Sequence, residues 1–584
     1  MSDDVLLVGA IDFGTTYSGW AYSYSKDFEI DPANPYVQNW KCGKTSFQKT
    51  ATCVLVNPDG KTVEAFGFEA EDRYIDLVAE GEHEDYYFFK RFKMALNKKL
   101  GEKLDRELAL EDVRQRQLPA LDIFAMSIKY LLDDMLKVLN RKERGITLNN
   151  ILVVLTVPAL WTDPAKHFMR EAAIKAGCDS KKLIIALEPE VASIYCQFLD
   201  EDETVDEQFL QFPVGMRYLV VDAGGGTVDI AIHGVEEDFH VKEVASAVGG
   251  DWGSTMIDDA FEHFLKELLG EDIYNELKGE HSGDFLTIMR DFENEKLINN
   301  AGHQTKKDYQ IDIQLPMSVA NMLTEKLQTT LFKRAKESAF AKNLTVFKNR
   351  LVMTSELFES FYEEPVKQTI SLIDQTFSNG KVGKLKAILM VGGFSQSKFL
   401  QNAVKAAFPK QHVVVPIESS VSIVKGAVVY GHHPMSISER ILKYTYGVEV
   451  MKKFKPGVHP VKRMVETETG KYCKNVFSKH VEKDQLVKVG EAQIDQRYTP
   501  SDSQKTSAHL KLFASSVKNP KYTDELSTCI GKVTIDLDDH DGDLTRGLWV
   551  SFIFSGPEIV VEVFDEKTEK VRQAKTDFLG PSLI

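Results

Sequence analysis

Two short hairpins, more than two hundred residues apart, constrain this chain more than anything else in it. The first opens with the apolar run Val5-Leu-Leu-Val-Gly-Ala-Ile11 and turns through Asp12-Phe-Gly-Thr-Thr-Tyr-Ser-Gly19. The second opens with Tyr218-Leu-Val-Val221 and turns through Asp222-Ala-Gly-Gly-Gly-Thr-Val-Asp229. Each apolar run has the length and β-former content of a buried strand. In each an aspartate stands where the strand meets a Gly/Thr turn. Glycines there permit backbone paths and close approaches that a Cβ forbids. Such turns can aim several N–H groups at one anion, typically a phosphate. A related turn used twice suggests two halves facing each other across a cleft. Two unrelated hairpins remain the alternative on these residues alone.

Other segments carry a resemblance. Asp12-Phe-Gly-Thr-Thr and Asp222-Ala-Gly-Gly-Gly-Thr-Val-Asp229 resemble the two phosphate loops of the actin-like ATPase superfamily. Leu155-Thr-Val-Pro-Ala159, Leu187-Glu-Pro-Glu-Val-Ala192 and Val391-Gly-Gly-Phe-Ser395 with Val424-Lys-Gly-Ala-Val428 follow in the order seen in the seventy-kilodalton heat-shock chaperones. Their details look most like the divergent heat-shock protein twelve branch of that family. The resemblance implies an α/β chain. A two-lobed actin-like ATPase domain of duplicated RNase H-like halves would cover 1–434, and a smaller β-sandwich-like domain 435–584. It implies ATP and ADP as ligands, with Mg²⁺.

Residue by residue, the resemblance implies that Asp12 and Asp222 hold the metal. Gly14, Thr15, Thr16 and Tyr17, with Gly224, Gly225, Gly226 and Thr227, would cradle the phosphates. Gly250 matches a glycine pair of the family. Glu188 and Asp229 would orient or deprotonate the attacking water. Lys90, in Tyr86-Tyr-Phe-Phe-Lys-Arg-Phe-Lys93, matches the family's catalytic lysine, a cation suited to charge developing on a transferring phosphoryl group. Arg91 and Lys93 read as solvated residues of an amphipathic packing segment. Two readings stay open for Glu188, a helix cap or a carboxylate reaching into the cleft. Glu293 and Lys296 are either an adenosine clamp or an i,i+3 surface pair. Gly392, Gly393 and Phe394 match an adenosine loop, and Phe394 either stacks on the base or packs. Leu297, Phe394 and Gln396 depart from the family pattern, in which arginines contact the nucleoside.

From about residue 435 short runs alternating at period two recur, among them Ala508–Phe513, Leu548–Phe554 and Glu558–Phe564, which predicts an all-β module. It resembles the chaperones' substrate-binding sandwich, which implies protein or peptide clients. Neither a long helical lid nor the family's acidic-then-leucine linker is expected, a departure that bears on nucleotide-controlled clamping. Asp538-Asp-His-Asp-Gly-Asp543 reads as a hairpin turn. In EF-hand register the first and last ligands would be Leu537 and Leu548. Asp200–Glu207 reads as an acidic surface loop.

A formal charge of −16 argues against an extended nucleic-acid or anionic-membrane footprint. Six cysteines lack CxxC spacing, so free thiols in a reducing compartment are expected. No membrane-length apolar run and no basic leader are seen, which makes the cytoplasm the expected location. Oligomeric state is not legible. Two rivals share the fold: a sugar or metabolite kinase, and a scaffold that binds nucleotide without turning it over.

Overall fold

A computed structural model describes the chain except residues 1–4, 101, 200–202, 205–211, 301–308, 379, 381, 468–469, 494, 500–506, 537–542, 544 and 580–584. Most of the acidic run 200–207 and of the 538–543 turn therefore lies outside the described residues, as do both chain ends.

The first lobe is built on a sheet in the order Leu183–Leu187, Ile151–Val157, Leu7–Phe13, Tyr17–Tyr24, Tyr36–Val37, with Thr50–Ala51 paired to Tyr17–Tyr24. The second has seven strands, in the order His412–Val414, Ala387–Val391, Arg217–Ala223, Val228–Val235, Val241–Gly250, Ile437–Ile441, Leu486–Lys488. The duplication is visible in the pairing. Leu7–Phe13 runs antiparallel to its hairpin partner and parallel to Ile151–Val157. Arg217–Ala223 does the same with Val228–Val235 and Ala387–Val391. These central strands are covered on both faces, so they read as continuous apolar runs rather than alternating ones. Asp12 lies opposite Gly19, and Asp222 opposite Asp229.

Two helices fill the seam between the lobes, Glu188–Cys196 and Ser422–His432, and the first is buried along its whole length. They touch at Gly426, where a Cβ would lie 1.9 Å from the Val191 carbonyl oxygen. Only a glycine lets the backbones approach that closely. Both aspartate-bearing turns lie at the strand ends that face this seam, so the chain is the two-lobed α/β fold the motifs imply.

Beyond the second lobe two antiparallel sheets stack as a β-sandwich. Thr445–Lys453, Ser507–Ser515 and Ser527–Asp536 are consecutive in one, and Leu548–Ser555, Glu558–Asp565 and Lys570–Gln573 in the other. Leu548, Val550, Phe552 and Phe554 are buried while the residues between them are half-buried, the inward alternation of a sandwich strand. They meet Val448, Leu512 and Val533 of the facing sheet.

The connection before the sandwich is itself a strand. Ile437–Ile441 pairs parallel with Val241–Gly250 and antiparallel with Leu486–Lys488, so the sandwich is stitched to the second lobe's sheet. Nη2 of Arg440 lies 2.5 Å from Oε2 of Glu190, both side chains being buried. The N–H of Ile441 donates to Oε2 of Glu243 at 2.9 Å. Burial first, and then the charge of Glu190, push the Glu243 carboxyl up to about 7.

That shift sets a pH dependence. A carboxyl whose folded pKa is raised stabilises the fold fully below its ordinary value of 4.5 and loses that contribution as pH rises through about 7. Relative to Glu243→Gln, the wild type is expected to lose about 3 kcal/mol of unfolding free energy between pH 4.5 and 8. Denaturant titrations at both pH values measure it. Parallel pH profiles for the two proteins would show that Glu243 does not titrate there.

Candidate functional site

The two turns meet across a cavity of about 460 Å³. Its floor is made of both phosphate-type loops, Gly14 to Tyr17 from one lobe and Gly224 to Thr227 from the other. The loops nearly touch. A Cβ on Gly225 would lie 2.3 Å from Oγ1 of Thr16, so the second loop must be glycine for the first to fit.

Three carboxylates line this floor, Asp12, Glu188 and Asp222, and Asp229 is buried close to them without lining the cavity itself. All are buried. Asp222 is pushed well above the ordinary carboxylate range, by burial first and then by the charges of Glu188 and Asp229. Burial, opposed by the Lys93 ammonium, raises Glu188. Asp229 is raised to about 7, again by burial and then by Glu188. Its Oδ2 accepts the Ala159 N–H at 3.1 Å. Among the described residues Oδ1 of Asp222 and Oδ1 of Asp229 are buried with no hydrogen-bond partner. Buried carboxylate oxygens that lack donors want a cation, and an all-oxygen set of this kind suits Mg²⁺ with most of its waters retained. The residues present therefore fit the metal that the resemblance implies.

Lys90 is not brought into the cavity. Its ammonium lies 2.7 Å from Oε1 of Glu71, in a smaller neighbouring pocket. The lysine that enters is Lys93, with Nζ 2.8 Å from Oε1 of Glu188 and almost no exposure. The reason is local. The strand Tyr87–Lys90 ends at Arg91 in a left-handed conformation, φ 53°, and the tight turn Phe92–Leu96 then swings Lys93 inward. The Lys-Arg pair marks the right segment, but the side chain that faces the site is three residues later. Arg91 keeps about a third of its side chain exposed (35%), and its Nη2 pairs with Oδ2 of Asp258 at 2.5 Å across the lobes.

Glu293 and Lys296 both line the cavity and are not a surface pair. Nζ of the buried Lys296 lies 2.5 Å from Oε2 of Glu293 and also contacts Asp258. The Tyr17 hydroxyl donates to Oε1 of Glu293 at 2.9 Å, which ties the first hairpin to the opposite lobe. Gly392, Gly393 and Phe394 line the same end with Leu297, Tyr362 and Ile423, a largely apolar wall. Gly250 does not line it. It ends its strand opposite Val228, with the Trp252 ring over it. Glu188 is buried, lines the cavity and pairs with Lys93, the placement that its cleft-facing reading requires.

Lys49, Lys93, Tyr362 and Glu418 were not legible as site residues. Lys93 stood in a segment already singled out, and its spacing from Arg91 is the only signal. Lys49 sits in Thr45-Ser-Phe-Gln-Lys49, which carries no motif.

A pair of duplicated lobes around such a cavity defines the actin-like fold. No protein-family profile matches the chain. Full-length relatives do. Human heat shock 70 kDa protein 12B is 31% identical over 98% of this chain and 91% of its own length. Human heat shock 70 kDa protein 12A is 31% identical over 98% of this chain and 92% of its own length, and the mouse protein 12A matches equally well. The chain belongs to the seventy-kilodalton heat shock protein family, in the branch of these protein 12 relatives.

Proposed function

We propose that the cavity binds ATP and ADP with Mg²⁺ and hydrolyses ATP slowly, and that the β-sandwich binds protein or peptide clients. The observation that carries this reading is the convergence of two glycine-threonine turns on a floor of three buried carboxylates, of which Asp222 keeps an unpartnered oxygen. Asp12 and Asp222 would hold the metal, whose chemistry is to neutralise phosphate charge. Thr15, Thr16 and the N–H groups of Gly224–Thr227 cradle the phosphates. Lys93 supplies a fixed cation near the transferring group. Asp229 and Glu188 would orient the attacking water. Phe394, Leu297 and Tyr362 offer apolar surface to the base. Client binding rests on the likeness of the sandwich to the family's substrate domain. The free cysteines suit a reducing compartment, and the reading places the protein in the cytoplasm among stress-response chaperones.

A second reading has its own observation. Lys49 stands on Asp12, and the nucleoside end lacks the arginines of the family, which favours a scaffold that binds nucleotide without turning it over. Phosphate release measured beside calorimetry with ATP and ADP separates the two. Binding with turnover above a Lys93→Met control is expected, and binding without it selects the scaffold. Stimulation by sugar acceptors would instead favour a kinase.

A further inference from the structure

The cavity holds a cation that the family resemblance does not assign. Nζ of Lys49 lies 2.5 Å from Oδ2 of Asp12, and the lysine side chain is only 14% exposed. Its backbone is fixed to the first phosphate-type loop. Thr50–Ala51 pairs with Tyr17 and Ser18, the Thr52 N–H donates to the Thr16 carbonyl at 2.8 Å, and Thr52 Oγ1 donates to the Gly14 carbonyl at 2.9 Å. The approach path is built too. Asp12 faces Gly19 across the hairpin, and a Cβ there would lie 3.0 Å from Cγ of Lys49 and 3.1 Å from the Gln48 carbonyl oxygen. The missing side chain is the channel along which the lysine stem reaches the aspartate.

The two central aspartates are therefore unlike. Asp12 is occupied, by Lys49 on one oxygen and by the Thr156 hydroxyl at 3.2 Å on the other. Asp222 keeps an oxygen with no partner. A divalent cation and an ammonium compete for Asp12, since the two repel each other at close distance. A metal taken up at Asp12 would displace Nζ, while the lysine stem is held by its backbone. Other carboxylates of the lining already hold cations: Glu188 has Lys93, Glu293 has Lys296, and Glu418 has Lys425. The vacancy that suits the released ammonium is the negative charge of a nucleotide's phosphates. The neighbouring Gln48 already spans the mouth, donating from Nε2 to Oε1 of Glu418 at 2.7 Å.

We infer that Lys49 is a phosphate-contacting residue of the cavity and that, before nucleotide binds, it is a resident cation competing with divalent metal for Asp12. The inference rests on the nucleotide reading for its phosphate half only. It makes metal alone a poor ligand and metal with triphosphate a good one, a positive coupling between the two.

The test uses the full chain, with Lys49→Met and Lys49→Arg beside the wild type. Mn²⁺ alone, followed by electron paramagnetic resonance, is expected to bind Lys49→Met about tenfold or more tighter, because its competitor is gone. ATP in the presence of a chelator is expected to bind Lys49→Met about tenfold more weakly, with Lys49→Arg recovering most of that loss. Gly19→Ala, which blocks the stem, should move both readings the same way as Lys49→Met. Equal Mn²⁺ affinity in wild type and Lys49→Met, including none in either, overturns the competition. Unchanged ATP affinity in Lys49→Met overturns the phosphate contact. A wild type that binds no nucleotide removes the phosphate half together with the nucleotide reading, while the Mn²⁺ comparison still decides the other half.

Discussion

Lys93→Met is expected to lower ATP turnover by about a hundredfold or more and to leave ATP affinity within a few-fold, whereas Lys90→Met leaves turnover within about twofold. Removing one preorganised charge-stabilising group from a water-poor site typically costs that much, roughly 2.7 kcal/mol of transition-state stabilisation or more. Lys93 meets the conditions. It is buried, its Nζ lies 2.8 Å from Glu188, and it lines the cavity. Lys90 meets none, since it is spent on Glu71 in the adjoining pocket. Methionine keeps most of the stem and so limits the packing loss. An effect on kcat with an unchanged binding constant marks a group that acts in the transition state. The reverse pattern, loss in Lys90→Met and none in Lys93→Met, would return the role to the lysine that the sequence resemblance selects.

The second large effect lies at the connection to the sandwich. Arg440→Ala removes the one cation paired directly with Glu190 and leaves it beside Glu243, with only the more distant charge of Lys166 acting on the two. Breaking a buried pair by removing one partner costs about 3–5 kcal/mol. The strand Ile437–Ile441 carries that cost first, because it is held by single ladders on either side and by this pair. Its amides should exchange with solvent on the order of a hundredfold faster or more in Arg440→Ala, and a protease should cut there sooner. The double variant Arg440→Leu with Glu190→Gln removes both charges and should recover much of the protection. Equal amide protection in wild type and Arg440→Ala would mean that the pair does not hold the strand.

The sequence made the hairpins legible because an apolar strand ending in Asp-Gly/Thr depends on local chemistry alone. The period-two runs past residue 435 were legible for the same reason, and they form a sandwich in which Leu548, Val550, Phe552 and Phe554 are buried. Residues placed by tertiary geometry were not. Whether Lys90 or Lys93 faces the cavity depends on a left-handed turn at Arg91, which no pattern announces. For Lys296 the sequence left two readings open, an adenosine clamp and an i,i+3 surface pair. Its partners Asp258 and Glu293 come from two helices that pack only in the folded lobe. The linker lacks the family's acidic-then-leucine run, yet Ile437–Ile441 joins a sheet edge, because pairing uses backbone groups that every residue has.

In the proposed function Asp12 and Asp222 form one metal-dependent nucleotide site between the lobes. Isothermal titration of the full chain with ATP, with and without Mg²⁺, tests it most directly when run on the wild type and on Asp12→Ala with Asp222→Ala. Mg²⁺ is expected to strengthen ATP binding to the wild type by about tenfold or more and to have no effect on the double variant. Equal Mg²⁺ dependence in the two proteins would contradict it.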